Sequence, residues 1–133
     1  MVSTGCYDLV DLAGWQPLPP QLEGLPSHAH NRLLTSVVLD IPRRRAVAQA
    51  ICDRLATAKG PTVLFLPTGG AHALDRAGED LHDAEGLAAF CDAIRSTARV
   101  VLQQVPAHIN DPAFVTAVLA QFDAWVADGT VKR

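Results

Sequence analysis

The run Thr62-Val63-Leu64-Phe65-Leu66, closed by Gly60-Pro61 on one side and Pro67 on the other, constrains this chain more than any other segment. A short apolar run without polar alternation fits a strand covered on both faces, and such strands belong to parallel sheets with helices packed above and below. The flanking sequence agrees. From Pro42 to Ala58 the residues Val47, Ala50, Ile51, Leu55 and Ala58 recur at helical spacing, with Pro42 suited to the first turn and Gly60 to the stop. Leu87, Phe90, Cys91, Ile94 and Ala98 mark a second helix that opens near Asp83, a good N-cap residue. Arg99 to Val105 reads as a second buried strand. Asp111 as N-cap and Pro112 as first helical residue open a last helix, lined on one face by Phe114, Val118, Phe122 and Trp125. This alternation with short connections predicts an α/β fold, a three-layer Rossmann-like parallel sheet with right-handed crossovers.

Two strands make a poor sheet, so further strands are expected at Tyr7 to Leu12 and at Leu33 to Leu39, the second favoured by Val37, Val38 and Leu39. Between them, residues 14–27 hold Pro17, Pro19, Pro20 and Pro26 and read as an extended surface loop. At 133 residues the whole chain, 1–133, suits one domain with a single core.

A formal charge of -3 gives no general attraction to nucleic acid or to a membrane surface, and neither is expected as a partner. The basic cluster Arg43-Arg44-Arg45 reads as a solvated helix face. The sequence from Met1 to Gly5 lacks the features of a signal peptide, and no segment approaches the roughly 18 apolar residues of a membrane span, so a cytoplasmic protein is expected. Cys6, Cys52 and Cys91 are odd in number and far apart, which suits reduced core residues and matches no zinc spacing.

In a parallel sheet the loops after successive strands gather along one edge. The connection from Pro67 to Asp83 should therefore meet the loop after Val105 and the segment containing His28 and His30. Gly69 and Gly70 are placed either to offer backbone N–H groups to an anion or simply to turn the chain; they match neither a dinucleotide fingerprint nor a P-loop. His72, His82 and His108 with Asp75 include ordinary metal-ligand types, but their spacing matches no metal signature, and no metal site is expected. His108, just after a strand and beside Asn110 and Asp111, is the candidate for proton transfer, with Asp75 orienting a partner. The alternatives are that these groups tie loops to their own backbone, and that Asp83 and Asp111 cap helices. No GxSxG elbow is present, which leaves nucleophilic catalysis aside.

The stretches Gly5-Cys6-Tyr7-Asp8-Leu9-Val10, His30-Asn31, Leu66 to Gly70, Ala73-Leu74-Asp75, Gly78, Asp83 with Glu85, and His108-Ile109-Asn110-Asp111-Pro112-Ala113-Phe114 occur in an order that resembles the Tm-one-like ATP-binding family, named after a plant tobamovirus-resistance protein. The resemblance runs from about Val2 to Trp125 and covers only the C-terminal portion of that family. It implies a cytosolic, self-associating protein of two Rossmann-like halves, with ATP as the ligand and most nucleotide contacts in the half that this chain lacks. Three departures stand out. Val38-Leu39-Asp40 replaces an arginine followed by threonines, His72 replaces a serine, and Ala84 replaces a proline.

The resemblance implies an incomplete domain that pairs with a second copy, as a homo-oligomer, or with a separately encoded N-terminal half. The reading that follows is a ligand-binding or regulatory module, with His30, Asn31, Gly69, Gly70, His72, Asn110 and Asp111 lining a crevice for a small anionic or nucleotide-like ligand. The alternatives are an enzyme acting on a small anionic or carbonyl metabolite through His108 and Asp75, and a degenerate fragment without independent function.

Overall fold

A computed structural model describes residues 1–131. The apolar run forms β5 (Val63–Pro67), every residue of which is buried. Its side chains alternate across the sheet as a strand requires. Leu64 and Leu66 enter a core shared with Ala48 and Cys52 of α1 (Ile41–Ala56) and with Phe90, Cys91 and Ile94 of α2 (Ala84–Thr97). Val63 and Phe65 face the other way, onto Phe114, Val118 and Trp125 of α3 (Pro112–Ala127). The three layers follow, with α1 and α2 on one face and α3 on the other. Each fully buried aliphatic or aromatic side chain contributes about 1.5–3 kcal/mol of transfer free energy.

The parallel sheet has the order β1 (Val2–Ser3), β5, β6 (Val101–Val105). Its third strand is therefore a two-residue segment at the start of the chain, too short to show in any periodicity. The two expected additional strands do form, as β2 (Leu9–Ala13) and β4 (Leu34–Val38), but in a separate antiparallel sheet with β3 (Ser27–Ala29), in the order β2-β4-β3. The sequence expectation of one sheet is corrected here, and so is that of β6 as a buried strand. β6 is an edge, and Val101 is 68% exposed.

The proline-rich segment is more than surface loop. Its 3-10 turn (Pro20–Leu22) buries Leu22 against Val37 and Leu39, with Leu12, Leu18 and Val47 packed around them. This covers one face of the antiparallel sheet and leaves the opposite face, bearing Leu9, Asp11, Ser36 and Val38, toward the connection after β5. No helix among the described residues is long and apolar enough to cross a membrane.

Helix starts follow the local signals. Asp40 accepts from Arg43 N at 3.1 Å at the start of α1, and Asp83 accepts from Gly86 N at 2.9 Å at the start of α2. Asp111 occupies the N-cap position of α3 but does not cap it through its side chain, because that carboxylate is turned back onto the preceding loop.

Candidate functional site

The loops after β5 and β6 are locked together by groups the sequence pointed to as reactive. Gly69 N donates to Ala107 O at 3.0 Å, and Ile109 N donates to Gly70 O at 3.0 Å. A Cβ at Gly69 would lie 2.7 Å from the Ala107 carbonyl carbon; at Gly70, where φ is +128°, it would lie 2.5 Å from both Asp75 Oδ1 and His108 Cδ2. The glycine pair thus serves close loop packing. The Gly69 N–H is already given to a carbonyl, so that amide is not offered to an anion.

Asp75 is buried and fully engaged. Its Oδ2 accepts from Ala71 N at 2.5 Å and His72 N at 3.3 Å, and its Oδ1 accepts from His108 Nε2 at 2.9 Å. The same Nε2–H reaches His72 O at 2.9 Å, while Nδ1 accepts from Asn110 N at 3.0 Å. Both ring nitrogens of His108 are used, which sets the neutral Nε2–H tautomer, and the residue is 1% exposed. His108 is therefore a brace between two loops, out of reach of a ligand. Asp111 extends the brace, since Oδ2 accepts from His108 N at 2.9 Å and Oδ1 from Arg76 Nη2 at 2.7 Å. The Arg76 hydrogen bond, then that from the His108 backbone, holds the Asp111 carboxyl below the usual range.

A second buried cluster was not legible as such. Arg44, the middle residue of the supposed solvated run, is 1% exposed. Its Nε donates to Leu39 O at 2.7 Å, and its Nη2 lies 3.0 Å from Asp83 Oδ2 and 3.5 Å from Asp8 Oδ2. Gly86 makes room for it, because a Cβ there would meet the guanidinium at 2.1 Å. Asp8 also faces His72, whose Nε2 stands 3.4 Å from Asp8 Oδ2 and 4.0 Å from Asp75 Oδ2. His72 Nδ1 accepts from Leu74 N at 3.3 Å, so its proton sits on Nε2, toward the carboxylates.

Above this scaffold lies a cavity of about 290 Å³ between the loops after β1 and β5 and the open face of the antiparallel sheet. Its polar lining is Cys6, Asp11, His30, Ser36 and His72, with Leu9, Ala73 and Leu74 between them. Asp11 and Ser36 are cross-strand partners on β2 and β4. Ser36 Oγ donates to Asp11 Oδ1 at 2.5 Å and lies 3.0 Å from His30 Nε2. Cys6 carries a left-handed backbone, with φ +49°, and its N–H is tied to Ala71 O at 3.1 Å. Partial desolvation of the sulfur, then the charges of Asp8, Asp11 and Asp75, push its thiol pKa up, so it stays protonated. Contrary to a core assignment, Cys6 is exposed, while Cys52 and Cys91 are buried.

Of the sequence-derived candidates, His30 and His72 meet in this cavity. Asn31 does not; its Oδ1 accepts from Leu33 N at 2.7 Å and Leu34 N at 3.1 Å and closes the β3–β4 turn. Gly69 lines a different cavity of about 350 Å³ beside Thr68, His82 and α2. Gly70, Asp75, His108 and Asp111 stand behind the crevice as its support, and Asn110 is exposed on the α3 side. Asp11, Ser36 and Cys6 were missed. Strand alternation in β2 and β4 was the signal that could have placed the first two on one face.

Compared with known proteins, residues 1–126 match the model of the C-terminal domain of an uncharacterised protein family, UPF0261. A UPF0261 protein of Brucella suis is 43% identical over 135 residues, which cover all of this chain and 32% of the relative. A UPF0261 protein of Mesorhizobium japonicum is 33% identical over 125 residues, 91% of this chain and 32% of the relative. The ToMV resistance protein Tm-1 of Solanum lycopersicum is 25% identical over 126 residues, 92% of this chain and 17% of that protein. The chain spans about a third of the length of the bacterial relatives it matches.

Proposed function

The chain belongs to the UPF0261 C-terminal domain family, and on that premise we propose that it is a ligand-binding domain whose crevice takes a small molecule rich in hydrogen-bond donors. The observation that carries this reading is the Asp11–Ser36–His30 line facing Cys6 and His72 across the 290 Å³ cavity. A volume near this size suits a small metabolite. The groups offered are a carboxylate and an imidazole, and neither lysine nor arginine lines the cavity among the described residues.

This revises the ligand class drawn from the resemblance. An anion needs N–H groups or fixed cations. Here the Gly69 N–H is bonded within the fold, the start of α2 is capped by Asp83, and Arg44 is sealed among Asp8, Asp83 and the Leu39 carbonyl. Neutral polyols and amines fit the remaining groups better than phosphates do.

Thermal denaturation against a panel of polyols, amines, inorganic phosphate and ATP tests the reading. A donor-rich compound should raise Tm, and at a hundredfold excess over its Kd the stabilisation is about 2.7 kcal/mol. The shift should vanish in Ser36→Ala and His30→Ala. Stabilisation by phosphate or ATP alone, or a shift that survives both substitutions, would overturn it.

A further inference from the structure

We infer that His30 is the hydrogen-bond acceptor of the crevice, presenting its Nδ1 lone pair to the ligand because Ser36 and Asp11 hold the ring proton on Nε2. The inference deepens the ligand-binding reading and rests on it for the identity of the crevice. Its logic is a count of hydrogens. Ser36 has one hydroxyl hydrogen, and that hydrogen is given to Asp11 Oδ1 at 2.5 Å, because an ionised carboxylate can only accept. Ser36 Oγ must then receive at its 3.0 Å contact with His30 Nε2. The ring proton is therefore on Nε2, and Nδ1 carries the lone pair.

Among the described residues no hydrogen-bond partner reaches His30 Nδ1, whereas the Nδ1 lone pair of the other imidazole that lines the crevice is taken. His72 accepts at Nδ1 from Leu74 N and turns its Nε2 to Asp8. His28, edge-on to His30 with ring centroids 4.9 Å apart, has Nδ1 3.1 Å from Asp80 Oδ2. His30 is also exposed, while His108 is sealed.

A ligand O–H or N–H donates a hydrogen bond to Nδ1 and keeps its proton, while the ring stays neutral with its Nε2–H on Ser36 Oγ. Ser36 and Asp11 are positioning residues; His30 is the group that touches the ligand.

Long-range ¹H–¹⁵N correlation spectra of the ¹⁵N-labelled chain read the tautomer directly. The wild type should show a pyrrole-type Nε2 and a pyridine-type Nδ1 at His30. Ser36→Ala should leave a mixture of both tautomers, and Ser36→Thr should restore the wild-type pattern. Asp11→Leu should invert the assignment, because the freed Ser36 hydroxyl turns to donate to Nε2 and sends the proton to Nδ1. Asp11 is exposed, so that variant carries the test if Ser36→Ala does not fold by circular dichroism. A wild-type Nδ1–H form, or an Nε2–H form unmoved in both Asp11→Leu and Ser36→Ala, would overturn the inference. The spectra need no ligand, so their outcome is independent of whether the panel yields a binder.

Discussion

His72 shows at the residue scale how opposing terms set one proton. Burial favours the neutral ring, yet the Asp8 carboxylate 3.4 Å from Nε2 and the charge of Asp75 outweigh it, with Arg44 pulling the other way, so its pKa is raised above the ordinary 6.5. A raised folded-state value means that the protonated ring is favoured in the folded protein. The stability it contributes is fully present below about 6.5 and is lost as pH rises through the folded value. Denaturation midpoints of the wild type should therefore fall as pH rises above 6.5, and the fall should be shallower in His72→Gln. Parallel profiles would remove the role assigned to the two carboxylates. His72 was legible in the sequence as a titratable residue in a long connection after a strand. Its partners were not, because Asp8 and Asp75 approach it only through the packing of separate loops, and the same holds for His108. A histidine beside Asn110 and Asp111 after a strand suits chemistry and bracing equally, and the choice depends on burial, which no local pattern reports.

Elements defined by their own periodicity were legible, and those defined by partners were not. α1, α2, α3 and β5 were foreseen to within about two residues, since spacing and caps are local signals. β1 has two residues and exists only because β5 offers it an edge. The Arg43-Arg44-Arg45 run looked like solvated charge, yet its middle member joins the starts of two helices, with Leu39 O, Asp8 and Asp83 around its guanidinium and Gly86 leaving the space. Arg44→Met should leave the buried Asp8 carboxylate without its cation and cost about 3–5 kcal/mol, measured by urea denaturation. Adding Asp8→Leu should recover much of that loss, because the lone charge is then gone. A loss under about 1 kcal/mol in the single variant would show that the cluster contributes little to joining α1 and α2.

For the whole molecule, the unfinished feature is an apolar flank. Val115, Leu119 and Phe122 recur at intervals of four and three along α3, forming one stripe, and are 51%, 55% and 41% exposed. Near the same helix, Met1 and Val2 border a hollow of about 250 Å³ lined by Phe65, Phe114 and Val118, beside the open edge of β1. Exposed apolar stripes and bare strand edges mark surfaces that other protein covers. We propose that a second copy of the chain covers this flank. Light scattering after size exclusion should show the purified chain associating as its concentration rises. Leu119→Lys with Phe122→Glu should give a monomer of unchanged folding stability, because neither side chain belongs to the packed cores. A wild type that stays monomeric across concentrations would remove self-pairing. If the double variant lost stability as well, the stripe would belong to the fold itself, and the unfinished flank would lie at the β1 edge alone.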